Sequence, residues 1–221
     1  MCRFLMIKSE TPISPFPLLE EFASLARNSK ALNGDWQGDG WGVSWLSEDR
    51  GWQSRKSILP IWEEPGSYSD IPESRFVLVH ARSSSFKEQV GEIAFSQPFL
   101  EGDYAFVFNG FIQGVSLPIP ANGRIGSQKI WNLLAGMLER SAPAVSLLSL
   151  KELLLENCRH VQALNIGLCD SSRIFAFSHY TENPGYYTLH AHSSTCLWMI
   201  SSEPLGGYRF SPIPPGRIVE F

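Results

Sequence analysis

The chain alternates short apolar runs with two stretches of helical periodicity. Residues 2–8 read as a strand, and over residues 18–27 Leu18, Phe22 and Leu25 recur at helical spacing. Residues 41–46 and 52–58 predict a hairpin closed by Ser47-Glu48-Asp49-Arg50-Gly51. Pro65, Gly66 and Pro72 make residues 61–74 a loop. Residues 76–80 form a continuous apolar run of buried-strand length. Residues 104–108 form another, broken by Asn109-Gly110 and resumed at Phe111-Ile112. Ile130, Leu133, Leu134, Met137 and Leu138 then line one face of a helix with Ser127 as its N-cap, and a leucine-rich helix follows over 145–156. Strands are expected at 163–169, 173–179, 185–191 and 196–201. A turn-rich segment, 211–216, leads into a last strand at 217–221. Strands, a helix pair, then more strands predict an α+β fold with sheets covered by helices on their outer faces.

Composition narrows the picture. A chain of 221 residues, 43% hydrophobic and 18% charged, can bury a large core, and we expect a single domain over 2–221. The 18 basic and 22 acidic residues leave a net charge of −4 with no basic run, so no nucleic-acid partner is expected. No stretch nears the roughly 18 apolar residues of a membrane span. The start lacks a basic region followed by a long apolar run, and Pro12, Pro15 and Pro17 interrupt it. Neither a membrane partner nor a secretory leader is expected. Cys2, Cys158, Cys169 and Cys196 fit no zinc spacing and no CxxC pattern. The last three are expected to be buried hydrophobes. Together these features favour a reducing cytoplasm.

The candidate chemistry lies in islands. If Met1 is removed, Cys2 carries a thiol and a free α-amine, whose unperturbed pKa is about 7.7–8.0. One residue would then supply both nucleophile and base. Gly38-Asp39-Gly40-Trp41-Gly42 is a glycine-dense turn entering a strand. His80-Ala81-Arg82-Ser83 ends a buried run, with His80 and Arg82 on one face. In a cleft, the Arg82 fork would clamp a carboxylate. The Asn109 amide and the Gly110 N–H together suit an oxyanion hole, although Asn-Gly is also the commonest hairpin turn. Ser202-Glu203-Pro204-Leu205 leaves a strand with no specific chemistry of its own.

In this order, Cys-Arg, Asp-Gly-Trp-Gly, His-x-Arg, Asn-Gly-x-Ile and Ser-Glu-Pro-Leu resemble the class II glutamine amidotransferases, which are N-terminal-nucleophile (Ntn) hydrolases. The pattern is most similar to their small stand-alone branch, which includes the γ-glutamyl amidase of ergothioneine biosynthesis and the yeast-type glutathione-degradation subunit. The resemblance spans nearly the whole chain and implies a four-layer αββα sandwich of two antiparallel sheets. It makes Cys2 the nucleophile, with Asn109 and Gly110 as the oxyanion hole. It puts Arg82 on the substrate α-carboxylate and has Gly40 and Trp41 line the pocket. The implied reaction is hydrolysis of a γ-glutamyl amide through a thioester at Cys2, with no metal or organic cofactor.

The chain departs from the family pattern at three places. Phe108 stands where a His usually precedes Asn-Gly. Trp36-Gln37-Gly38 stands where a polar residue often precedes the glycine motif. In Ile125-Gly126-Ser127-Gln128, Gly126 takes the place of the Asp that binds the substrate α-ammonium. No ammonium-binding residue is assigned; Glu101 and Asp103 are nearby acids that could substitute. Other activities stay open. The chain could be a glutaminase delivering ammonia to a separate synthase subunit. It could act with a peptidase partner, or belong to the bile-salt and penicillin V acylase group. It could also be a non-catalytic ligand-binding descendant.

Overall fold

A computed structural model describes residues 2–28 and 36–221. The first sheet is seven-stranded and antiparallel, in the order β11-β9-β10-β1-β4-β2-β3. Its strands are β1 (Arg3–Ile13), β2 (Trp41–Ser47), β3 (Gly51–Ser57), β4 (Ser74–Ala81), β9 (His190–Ser193), β10 (Leu197–Ser201) and β11 (Ser211–Pro212). The second is five-stranded and antiparallel, in the order β12-β8-β7-β6-β5. It contains β5 (Phe99–Glu101), β6 (Tyr104–Gln113), β7 (His160–Cys169), β8 (Ile174–Ser178) and β12 (Arg217–Glu220). The helices are α1 (Phe16–Arg27), α2 (Gly126–Leu138), α3 (Pro143–Glu156) and the short α4 (Pro184–Tyr187).

Strand alternation sorts the apolar residues into three layers. Leu5, Ile7, Val77 and Val79 face outward under Leu18, Leu19 and Phe22 of α1. Phe4, Met6, Leu78, Val107 and Ile200 face inward, between the sheets. Phe106, Leu164, Ile166 and Leu168 face outward again under Ile130 and Leu134 of α2 and Leu147 and Leu150 of α3. The result is an αββα sandwich. Each buried aliphatic side chain contributes roughly 1.5–3 kcal/mol to it. The same alternation turns Cys2, His80, Arg82 and Asn109 inward at one end of the sandwich. Register fixes that convergence, because Phe4 pairs with His80 and Arg3 with Ala81.

Four expectations need correction. β6 is not broken at Asn109-Gly110: Asn109 pairs with Asn165 and Gly110 with Leu164, and the irregularity comes later, between Phe111 and Ile112. Ladder pairing on β7 outweighs the local turn preference. Ser127 does not cap α2, because Ile125 takes the extended N-cap position and Ser127 lies inside the first turn. Residues 185–191 are not one strand. Asn183 adopts a left-handed backbone (φ 50°) and Pro184 opens α4, where a fixed φ suits a first helical turn. Finally, Cys196 is exposed and Cys158 half-buried, so Cys169 alone of the three is the buried hydrophobe expected; all are free thiols. No helix among the described residues is long and apolar enough to cross a membrane.

Candidate active site

The start of β1 is pinned from behind. Arg3, 1% exposed, meets Glu203 Oε1 at 2.5 Å. It also donates to the Tyr186 carbonyl at 2.8 Å and stacks over the Tyr186 ring at 3.7 Å. The Tyr186 hydroxyl donates to the Cys2 carbonyl at 3.2 Å. Phe4 N–H donates to Ser202 Oγ, and Ser202 N–H to the Phe4 carbonyl, both at 3.0 Å. Burying a guanidinium without a partner is costly, and the Ser-Glu-Pro-Leu segment supplies an acid beside this one. Sequence reading found no chemistry in Glu203. The available signal was Arg3 itself, a cation within an apolar strand.

In front of this anchor stand Cys2, Asn109 and Gly110. The Cys2 main-chain nitrogen donates to Asn109 Oδ1 at 3.1 Å, and the thiol faces the Ser83 carbonyl at 3.7 Å. Asn109 Nδ2 is buried with no hydrogen-bond partner among the described residues. A buried amide left without an acceptor is costly, so a ligand oxygen would gain there. Phe108 N–H donates to Gln97 Oε1 at 2.6 Å, and its carbonyl accepts from His80 Nε2 at 3.2 Å. Both groups therefore point away from β7. Alternation turns the Gly110 N–H the same way, off the ladder. A side chain at Gly110 would put Cβ 2.2 Å from the Ala163 carbonyl oxygen, so the backbone approach there requires glycine. His80 is fully buried, and burial takes its pKa from 6.5 to about 3, opposed by its bond to Phe108. It stays neutral and donates.

Arg82 closes the site from the β4 side. It is 4% exposed, and its guanidinium donates to the carbonyls of Gln89 at 2.6 Å and Asp39 at 3.4 Å. Burial lowers its pKa, while the Cys2 thiol, Asp39 and Glu92 pull the other way; it remains a cation. Among the described residues it has no ion-pair partner. The Asp39 carboxylate is occupied by Ser84 N–H at 2.7 Å and that of Glu92 by Arg124 at 3.1 Å. Gly40 stands one step behind, its carbonyl accepting from Arg82 N–H at 2.8 Å. Its φ of +116° and a Cβ position 2.7 Å from the Ser57 carbonyl oxygen demand glycine. Trp41 does not reach the site. It is fully buried in the outer core, where it bonds Glu64 at 3.0 Å and meets Tyr68 edge-on. Alternation sends it to the face opposite Cys2.

Cys2, Arg82, Gln97, Gly110 and Gly126 share one cleft of about 430 Å³. Gly126 opens α2 on its far wall, with nothing within 4 Å of where a side chain would start. Glu101 and Asp103 do not line the cleft. They sit at the β5–β6 turn, where the Asp103 carbonyl accepts from Trp52 Nε1 at 2.8 Å. No cluster of three or more metal-ligating side chains exists among the described residues.

No protein-family model matches this sequence, and no curated protein matches it. Solved structures do. A glutamine aminotransferase class-II domain protein from Silicibacter pomeroyi superposes with a TM-score of 0.64 at 17% identity, over 99% of this chain and 94% of that one. The chain has the fold of the class II glutamine amidotransferases. A predicted glutamine amidotransferase from Pseudomonas aeruginosa matches over 100% of this chain and 97% of that one, with a TM-score of 0.59 and 15% identity. The glutamine phosphoribosylpyrophosphate amidotransferase of B. subtilis gives a TM-score of 0.69 at 13% identity. There the match covers 99% of this chain but only 47% of that one.

Proposed function

We propose that this chain, acting as the single domain 2–221, is a cysteine-dependent amidohydrolase cleaving γ-glutamyl amide bonds. The observation that carries the reading is the Asn109 side chain. Its Oδ1 holds the Cys2 nitrogen while its unpartnered Nδ2 lies buried beside it. Once Met1 is removed, that nitrogen is an α-amine held next to the thiol. The amine takes the thiol proton and sulfur adds to the γ-carbonyl carbon. The oxygen, now negative, is met by Asn109 Nδ2 and the Gly110 N–H. Collapse breaks the C–N bond, and the ammonium formed at Cys2 returns its proton to the departing amine. Water then adds to the thioester, its proton passing through the same amine, and releases the carboxylate and the Cys2 thiol. Arg82 holds the substrate carboxylate.

Assays on γ-glutamyl amides, reading released amine and acid, test this together with intact mass. Activity with Cys2 as first residue supports the reading, and full activity with Met1 retained overturns the amine as base. A second reading is delivery of ammonia to a separate synthase subunit. It is favoured by the B. subtilis enzyme, more than half of whose chain has no counterpart here. Release of free ammonia without any partner protein counts against it.

A further inference from the structure

The charge of the cleft is one-sided. Arg82 is the only charged side chain lining it among the described residues, and no Asp or Glu does so. The nearest acids, Asp39 and Glu92, are occupied by Ser84 N–H and Arg124. The apolar side chains of Phe86, Phe95, Phe111, Ile125 and Ile130 share the lining with serines and glutamines. The positive end of α2 also faces this space, which adds to the cost of a cation there. A free amino acid brings a carboxylate and an ammonium together. The first finds Arg82; the second finds no acid and a like-signed field. Desolvating an unpaired ammonium is expensive. An acylated nitrogen is neutral, and its acyl chain is apolar surface that the phenylalanine and isoleucine side chains of the lining can cover.

We infer that the substrate is a γ-amide of an N-acylated glutamyl group, with a free carboxylate on Arg82 and a neutral, acyl-bearing nitrogen beside Gly126. This rests on the amidohydrolase reading above and specifies its substrate class. The open space at Gly126 has a direct consequence. An Asp installed there meets nothing within 4 Å at its Cβ, so it can supply the missing acid without repacking.

The test compares L-glutamine, N-acetyl-L-glutamine and N-octanoyl-L-glutamine on the processed protein. The kcat/KM should be at least about tenfold higher for the acylated amides, the scale of one charge-assisted contact. Gly126→Asp should move the preference toward glutamine, while the neutral isostere Gly126→Asn should leave it with the acylated amides. Glutamine turned over as well as, or better than, its acylated forms overturns the inference while leaving the amidohydrolase reading intact. Binding is read separately, as protection of Cys2 from iodoacetamide by the same ligands. The preference is therefore measurable even if nothing is hydrolysed, and absence of all turnover counts against the amidohydrolase reading alone. Stronger protection by glutamine than by the acylated forms also overturns the inference.

Discussion

Two buried arginines, Arg3 and Arg82, flank Cys2, and their surroundings differ in one respect. Arg3 has a carboxylate, Glu203, at 2.5 Å, together with the carbonyl and ring of Tyr186. Arg82 has the carbonyls of Gln89 and Asp39 and, at 5.5 Å, the Phe95 ring, but no bonded carboxylate among the described residues. The first is neutralised and belongs to the scaffold. The second stands at the wall of a cleft with no carboxylate bonded to it, a place that a substrate carboxylate can take. The lesson is that a buried cation is assigned by what neutralises it. An arginine already paired with a carboxylate is not free to take another anion, whereas one bonded only to neutral groups is poised for one.

The largest effect should come between the two. Cys2→Ala should reduce amide hydrolysis to background with little loss of stability, because alanine fills less space at a half-open position. A Cys2→Ala protein that still hydrolyses the amide would break the scheme. On the scaffold side, Glu203→Ala leaves Arg3 buried and unpaired. It should cost about 3–5 kcal/mol of unfolding free energy by urea titration, with loss of activity following from a displaced β1 start. On the Cys2 side, Asn109→Ala should lower kcat by roughly 10²–10³ with a smaller change in stability. Equal losses of stability from the two variants would erase the distinction between anchor and site.

His80 joins the regions, pairing in register with Phe4 and bonding Phe108 beside Asn109. Its folded pKa, about 3, lies below its ordinary 6.5, so the unfolded chain takes up its proton first as pH falls. Its contribution is whole above pH 6.5 and is lost toward pH 3, at up to about 1.4 kcal/mol per pH unit. Urea titrations between pH 7 and 4 should show this slope, and His80→Gln should flatten it. The smallest effect expected is Arg82→Lys. It keeps the charge but loses the fork, and should lower kcat/KM by at least about tenfold. Unchanged kinetics would make Arg82 a second scaffold arginine.

Much of the sandwich was legible, because alternating strands and two helical stripes are local signals. Cys2, Arg82 and Asn109-Gly110 were legible as ordered motifs, and the structure brings them to one end. What escaped depended on pairing between distant segments. Asn109-Gly110 reads locally as a turn, yet β7 holds it straight. Trp41 sits beside Gly40 in sequence, but strand alternation turns it into the outer core, away from the cleft. Glu203 and Tyr186 meet Arg3 across about 200 and 183 residues of chain, and no local pattern announces them. The short strand β5 and the helix α4 are too brief to leave a period.

The most direct test of the central claim is covalent trapping of Cys2. The reagent is a glutamine-like diazo-ketone with an acetylated α-nitrogen, read by intact mass and peptide mapping. The account predicts one adduct per chain, on Cys2 of a chain lacking Met1, and none on Cys2→Ala. Burial raises the thiol pKa of Cys169 and of Cys158, which disfavours reaction at both, and Cys196 is exposed but outside the cleft. Labelling spread over Cys158 or Cys196, or a single adduct on a chain that retains Met1, would contradict it.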